Sequence, residues 1–199
     1  MSILKINSSV QTDRSVSRRL VEQLVNQIQQ PGEQVVERDL AKGLPLLTQE
    51  MVAAFYTPAD QRTVAQKASI VASETLVQEL QTADVLVLGV PIYNFSVPAS
   101  VKAYFDLVAR VGLTFRYTED GPIGLLKNKK AYVVIASGGT AFRSEIDFAS
   151  DYIKQFLGFI GIEEVHFIPA DQLMFGADAV VAKAQSLIQA LPSGASVPV

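Results

Sequence analysis

The sequence predicts a three-layer α/β fold, in which helices cover both faces of a five-stranded parallel sheet. One observation is the continuous apolar, β-branched run at residues 85–90, which is typical of a strand buried on both faces. Another is that such strands alternate with segments whose apolar residues recur at helical spacing. With 199 residues, 49% of them hydrophobic, the chain can bury roughly 70% of its unfolded surface as one domain. We expect that single domain at residues 1–191 and a disordered tail at residues 192–199.

The chain begins with a predicted strand at residues 3–7 and a polar loop at residues 8–14. Apolar residues at helical spacing then predict a helix over residues 15–29, with Ser15 as its N-cap. Arg18 stands where a capping box would have Glu or Gln, so no carboxylate is expected to fold back over this helix N-terminus. The terminus is therefore free to receive an anion.

Three serine hydroxyls flank that N-terminus, those of Ser9, Ser15 and Ser17. They could donate hydrogen bonds to a phosphate, or they could only cap the helix and turn the loop. The loop contains no glycine, which excludes the Rossmann fingerprint and the P-loop, because both need glycines for close backbone approach. Spacing alone leaves phosphate binding and simple capping as open alternatives.

A second strand is predicted at residues 34–39, followed by a connection at residues 40–82 that is longer than an αβ crossover needs. We expect a short helix at residues 49–56 and a longer one at residues 59–81. The short helix has an apolar face made by Met51, Val52, Phe55 and Tyr56. Such a face indicates ordinary core packing, a subunit interface or a cover over a substrate, and the pattern does not show whether the segment lies over a site.

The third strand, residues 85–90, leads into the loop that is the first candidate for function. Pro91 ends the strand because it has no N–H to donate, and Pro98 stands where a helix can begin. The loop between the two prolines carries an amide among apolar and aromatic residues: Ile92, Tyr93, Asn94 and Phe95. It follows the carboxyl end of a buried strand, where open α/β sheets bind their ligands.

The remaining elements continue the alternation. A helix is predicted at residues 98–110, and then an exposed hairpin or lid with an alternating strand at residues 114–118 and a turn at residues 119–122. The fourth sheet strand is predicted at residues 131–136. The last elements are a helix at 145–159, a strand at 165–168 and a helix at 178–191.

Ser137, Gly138 and Gly139 follow the fourth strand directly. Paired glycines at this position let the backbone approach a flat ligand or adopt positive φ, although they could also form a simple turn.

Composition excludes several kinds of chemistry. The chain has no cysteine, so it has no disulfide, no thiolate nucleophile and no zinc–sulfur site. Its single histidine, His166, lies in a predicted strand, and no G-x-S-x-G elbow accompanies it, so we expect a structural role for it. We expect no catalytic side chain, and a bound cofactor to carry the chemistry if the protein is an enzyme.

Charge and hydropathy narrow the partners. A net charge of −3 with scattered basic residues does not favour nucleic acid binding. No apolar run approaches the ~20 residues of a membrane helix, so we expect no membrane partner. The first strand starts too early for a signal peptide, and we expect a cytoplasmic protein.

The three candidate loops follow the first, third and fourth strands. In the doubly wound order 2-1-3-4-5 these strands are neighbours, so one ligand can touch all three loops. A phosphate at the serines after the first strand, with a flat ring along Tyr93, Asn94 and Phe95 and against Gly138 and Gly139, describes FMN.

The sequence resembles the FMN-dependent NADH azoreductase family, flavodoxin-like homodimers related to quinone reductases. The resemblance covers nearly the whole chain and is strongest at three segments: Pro-Ile-Tyr-Asn-Phe-Ser-Val-Pro-Ala at 91–99, Leu-Thr-Phe-Arg-Tyr-Thr at 113–118 with Gly121-Pro122, and Phe-Leu-Gly-Phe-Ile-Gly at 156–161. It implies a three-layer flavodoxin-like fold with one non-covalent FMN per subunit and the site at the interface of a homodimer.

The resemblance also implies which residues contact FMN. The phosphate would be held by Ser9, Ser15, Val16 and Ser17. The ring would be lined by Ile92, Tyr93, Asn94 and Phe95. Backbone at the polar edge of the ring would come from Ala136, Ser137, Gly138 and Gly139. Tyr117, and Phe159 of the partner subunit, resemble aromatic residues of the substrate pocket.

Two positions depart from the family pattern, which often has Met where Ile92 stands and Arg where Ser137 stands. The absence of that Arg leaves the substrate range and the choice between NADH and NADPH open, but not FMN binding. The sequence does not identify the physiological acceptor either.

The implied activity is a ping-pong, two-electron transfer of hydride from NADH or NADPH through FMN to quinones and azo compounds. The alternative is a flavodoxin-like electron carrier without a small-molecule substrate, although such carriers usually display a strongly acidic docking face and −3 is too mild to suggest one. A receiver domain shares the fold but needs acidic residues after its first strand, where this chain has Asn7, Ser8 and Ser9.

Overall fold

The computed structural model describes residues 1–193, so residues 194–199 of the expected tail lie outside the described part of the chain. The strands in chain order are β1 (Ser2–Asn7), β2 (Gln34–Asp39), β3 (Val85–Pro91), β4 (Phe115–Thr118), β5 (Gly121–Gly124), β6 (Lys130–Ala136) and β7 (Glu164–Ala170). Five of them form a parallel sheet in the order β2-β1-β3-β6-β7, and β4 pairs with β5 in a separate antiparallel hairpin. The predicted parallel sheet and its order 2-1-3-4-5 are confirmed.

Helices cover both faces of this sheet. They are α1 (Val16–Ile28), α2 (Gln49–Tyr56), α3 (Val64–Ser69), α4 (Val71–Thr82), α5 (Ala99–Val108), α6 (Ser150–Ile160) and α7 (Ala177–Gln189). Alternate residues of the strands point to opposite faces, so Leu4 packs with α2, α4, α5 and α6 while Ile3 packs with α1 and α7. The carboxyl ends of the central strands therefore emerge between two helical layers.

Two helix starts differ from the prediction, and a side-chain cap explains each difference. The helix expected from residue 59 begins at Val64, because Thr63 and Gln66 form a capping box; it is also interrupted at Ile70. The helix expected from residue 145 begins at Ser150, because the Asp147 carboxylate accepts hydrogen bonds from the backbone N–H groups that open it. The other predicted bounds agree to within two residues.

Two smaller details also differ. Pro91 belongs to β3, opposite Ala136, and the next N–H, that of Ile92, continues the ladder to the Ala136 carbonyl at 2.7 Å. In the hairpin, Gly121 and Pro122 are strand residues rather than turn residues. Both details lengthen regular structure without moving the loops.

The apolar face of α2 serves two environments. Met51 is buried and Phe55 packs against the core, whereas Val52 and Tyr56 are exposed. The core-packing alternative therefore holds for half of this face.

His166 is exposed on the outermost strand β7, where it stacks on Tyr132 at 5.2 Å and lies 2.9 Å from a Glu164 carboxylate oxygen.

Within residues 1–193 no helix has the length and apolar character needed to cross a membrane.

Candidate functional site

The loops that follow β1, β3 and β6 meet at one edge of the sheet and are joined by hydrogen bonds. Ser8 donates both its N–H and its hydroxyl to the Gly89 carbonyl, at 3.2 and 2.7 Å. The Tyr93 hydroxyl accepts from the Val10 N–H at 3.3 Å and lies 3.5 Å from the Ser9 hydroxyl. Phe95 then accepts from the Phe148 N–H of the third loop at 3.0 Å. The structure thus brings the three predicted loops together as one site.

The first loop presents hydroxyls at the N-terminus of α1. The Ser15 hydroxyl accepts from the Arg18 N–H at 3.3 Å, so Ser15 is the N-cap as predicted, and it lies 3.0 Å from the Ser17 hydroxyl. No acidic residue occupies the first turn of this helix. Ser9, Ser15 and Ser17 are all buried, so their hydroxyls are held in place by the protein. Hydroxyls and a helix N-terminus without a carboxylate suit an anion.

Arg18 is a functional candidate that sequence reasoning missed. Its guanidinium donates to the Ser9 carbonyl from Nε at 3.2 Å and from Nη2 at 2.7 Å, and it pairs with both carboxylate oxygens of Asp39 at 3.1 and 2.7 Å. Burial disfavours the charged Asp39, but the hydrogen bonds from Arg18 and the Ala41 N–H outweigh it and lower the pKa of this carboxyl. The available signal was a basic residue at the third position of a helix whose N-terminus faces a loop.

The second loop contains a strained turn. Tyr93 and Ser96 exchange two backbone hydrogen bonds, at 3.0 and 3.1 Å, around Asn94 and Phe95. These central residues have φ of 49° and 70°, the signs of a type I′ turn. Asn tolerates positive φ, but a bulky Phe seldom adopts it. The turn holds the Phe95 ring outward, 54% exposed, so this aromatic residue has a large accessible face at the site.

The third loop contains the predicted glycine pair, Gly138 and Gly139. Neither Gly138 nor Gly139 has positive φ, so close approach of the backbone to a ligand and a simple turn are the two remaining reasons for the pair. A Cβ on Gly138 would lie 3.3 Å from the Met174 sulfur, whereas a Cβ on Gly139 would meet nothing within 4 Å. Gly139 therefore leaves open space beside the loop.

Ser137 is turned toward the protein. Its buried hydroxyl bonds to the Thr140 carbonyl and accepts from the Gln172 N–H at 3.2 Å, which ties the third loop to the segment after β7. That segment, also missed from the sequence, places Met174 and Phe175 at the surface, 80% and 77% exposed. The sequence carried no signal for it, because the predicted strand ended at residue 168.

The other predicted site residues lie at the margins. Val16 and Ile92 are partly buried against the two halves of the core, and Ala136 is the buried last residue of β6. Tyr117 is exposed on β4 and Phe159 is half-buried on α6, and both contact Phe115, with ring centroids 5.5 and 4.4 Å away. The structure places these two aromatic residues together beside the hairpin. Their contribution to a substrate pocket remains a prediction.

Comparison with known proteins identifies a matching family model and similar relatives. Residues 1–191 match a family model described as a flavodoxin-like fold. The chain is 53% identical over 190 residues to the FMN-dependent NADH:quinone oxidoreductase 1 of Hahella chejuensis, covering 94% of this chain and 93% of that protein. It is 51% identical over 189 residues to the protein of the same name in a Jannaschia species, covering 95% and 97%.

Among solved structures, the azoreductase AzrA superimposes with a TM-score of 0.86 at 25% identity, covering 96% of this chain and 100% of the other. The sheet order, the three joined loops and the two close relatives all indicate the same flavodoxin-like family. The chain therefore belongs to the flavodoxin-like fold family and, within it, to the family of FMN-dependent NADH:quinone oxidoreductases.

Proposed function

We propose that this chain is an FMN-dependent oxidoreductase that passes hydride from NADH to quinone or azo acceptors in a ping-pong, two-electron reaction. The observation that carries the proposal is the joining of three loops at the carboxyl ends of β1, β3 and β6, where one side offers hydroxyls at a helix N-terminus and the other offers open space at Gly139. The names of the two close relatives support the same reaction and do not favour an electron carrier. Residues 1–191 would form the single FMN-binding domain.

The residues present fit FMN. Buried hydroxyls and the α1 N-terminus without an acidic first turn suit its phosphate. The open space at Gly139, where a Cβ would meet no protein atom within 4 Å, leaves room for a flat ring. We assign contact with FMN to Ser9, Ser15, Val16, Ser17, Ile92, Tyr93, Asn94, Phe95, Ala136, Ser137, Gly138 and Gly139.

Bound FMN would supply the hydride chemistry. The chain would bind and orient this group: its serine hydroxyls would hold the phosphate, its aromatic loop would line the ring, and its backbone at Gly138 and Gly139 would face the polar edge. The chain has no cysteine, and His166 lies on the outermost strand β7, so we assign no side chain as nucleophile. Water can supply the protons that the product needs.

We also propose a homodimer with the site at the subunit interface, where Tyr117, and Phe159 of the partner subunit, would complete the substrate pocket. Large apolar side chains around the site support this, since Phe95, Phe148, Met174 and Phe175 are each more than half exposed. A cytoplasmic location fits the use of NADH. Sedimentation analysis should give twice the mass of one 21.6 kDa chain, and a monomer would contradict the interface proposal.

Anaerobic mixing with NADH tests the reaction. The purified protein should be yellow or take up added FMN, NADH should bleach the flavin absorbance, and a quinone should restore it. Flavin that binds but stays oxidised would favour the carrier, and a protein that takes up no FMN would contradict both. Steady-state rates with NADH and NADPH, against quinones and azo compounds, would identify the donor and the acceptor.

Replacing Gly139 by alanine is expected to weaken FMN binding about tenfold, because the new methyl group occupies space proposed for the ring. Stability without FMN should change by less than about 0.5 kcal/mol, because that methyl group meets no protein atom. Fluorescence titration with FMN and urea denaturation measure the two quantities. Gly158→Ala, whose Cβ also meets nothing within 4 Å, is the control for FMN affinity. Equal FMN affinity in both variants would remove Gly139 from the site.

A further inference from the structure

We propose that Arg18, anchored by Asp39, is a positioning residue for phosphate binding, which fixes the Ser9 carbonyl so that the serine hydroxyls can face an anion. The inference rests on the proposed binding of FMN. It concerns two residues that contact neither loop glycines nor the aromatic turn, and neither was among the predicted FMN contacts.

The Arg18 side chain joins three parts of the fold. Its residue is in the first turn of α1, where its N–H donates to Ser15, and its guanidinium reaches back to the Ser9 carbonyl at 2.7 and 3.2 Å. The same guanidinium binds Asp39, the last residue of β2, through both carboxylate oxygens. Both side chains are only 14% exposed. A planar fork can satisfy a carbonyl and a carboxylate at once, which a lysine ammonium cannot do with the same geometry.

The Ser9 carbonyl matters because its oxygen carries partial negative charge. If that oxygen turned into the anion site, it would repel a phosphate, and the peptide would also move the Ser9 hydroxyl. Arg18 holds the oxygen in two charge-assisted hydrogen bonds. On the other side of the same residue, the Ser9 hydroxyl accepts from the Gln11 N–H at 3.2 Å and lies 3.5 Å from the Tyr93 hydroxyl. Ser9 is therefore fixed from both ends.

Net charge does not explain the arrangement. The Asp39 carboxylate offsets the Arg18 charge at close range, so the pair contributes little net attraction for an anion. What it does contribute is a fixed direction for one carbonyl. A variant that keeps the charge but loses the fork should therefore fail as a variant without charge does.

The neighbouring pair Arg38–Glu79 is a matched control. Arg38 of β2 donates two hydrogen bonds to the Glu79 carboxylate of α4, so this pair is also an arginine–carboxylate pair that involves β2. It is part-buried. Arg38 donates to no residue of the three loops. Breaking it costs an ion pair of similar geometry without touching Ser9.

The test compares FMN with riboflavin, which has the same ring and no phosphate. Dissociation constants of both flavins are measured by fluorescence on the flavin-free full chain for wild type, Arg18→Lys, Arg18→Met and Arg38→Met. We expect both Arg18 variants to bind FMN about tenfold more weakly, because the charge-assisted hydrogen bonds that hold the Ser9 carbonyl are lost. Riboflavin binding should change by less than about twofold. Arg38→Met should keep the wild-type preference for FMN.

Retained FMN preference in Arg18→Lys would overturn the positioning role and leave only charge. An equal loss for both flavins in the Arg18 variants would also overturn it, because general loosening of the fold does not distinguish the phosphate. Wild-type protein that binds neither flavin would instead contradict the proposed function, so the two failures are distinguishable.

Discussion

Replacing Gly124 by alanine is expected to lower the free energy of unfolding by about 3 kcal/mol or more, because the new methyl group overlaps backbone atoms. A Cβ on Gly124 would overlap the nitrogen of Gly161 and the carbonyl carbon of Ile160. Those atoms belong to the end of α6, where Gly161 has a φ of 105° and the Ile160 carbonyl accepts from Leu126 at 2.9 Å. Backbone held in this way cannot move aside as a flexible side chain would.

Urea denaturation of the two proteins measures this effect. Gly158→Ala is a suitable control, because its Cβ meets nothing within 4 Å and alanine favours a helix interior, so it should stabilise the protein by up to about 1 kcal/mol. If Gly124→Ala unfolds at the same urea midpoint as wild type, β5 does not pack closely against the end of α6.

Replacing Asp147 by alanine is expected to cost about 3 kcal/mol at neutral pH, because several hydrogen bonds to a buried carboxylate are lost together. Asp147 accepts from the N–H groups of Arg143, Ala149 and Ser150, at 2.8, 3.0 and 3.0 Å, and from the Ser150 hydroxyl at 2.5 Å. These bonds cap α6 and order the loop that carries Gly138 and Gly139. The variant should therefore also show faster proteolysis in this loop.

The Asp147 effect should depend on pH. Burial raises the pKa of this carboxyl, but its hydrogen bonds outweigh burial and the net pKa is lowered. Its contribution is therefore complete above the unfolded pKa, about 3.9, and is lost as pH falls through the folded value. The difference in the free energy of unfolding between wild type and Asp147→Ala should be constant from pH 5 to 7 and should shrink at more acidic pH. Urea denaturation from acidic to neutral pH measures it.

Glu145→Ala removes an exposed carboxylate of the same loop and should change stability by less than about 0.5 kcal/mol at every pH. A pH-independent difference for Asp147→Ala would show that packing, and not the charged cap, is what the substitution removes.

The strands were predictable because each strand signal is local, whereas their order followed from the doubly wound fold class that the alternation of strands and helices indicates. A parallel strand between two helical layers needs apolar, β-branched residues on both faces, and such a run is visible at β3 without any partner. Helix starts were less predictable, since α3 and α6 begin where a side chain takes the first N–H groups. Thr63 and Gln66 did carry a readable capping-box signal, whereas the Asp147 cap depends on a loop conformation that sequence spacing does not reveal.

For the candidate site, the sequence by itself determined which three loops meet, because carboxyl ends of neighbouring parallel strands share one edge. Only the tertiary structure decided where the polar groups in those loops point. Arg18 reaches Asp39, 21 residues away, and Ser137 reaches Gln172, 35 residues away, so neither partner follows from local pattern. The reason is physical: hydrophobic periodicity is written along the chain, whereas hydrogen bonds between loops form only after the strands have placed those loops side by side.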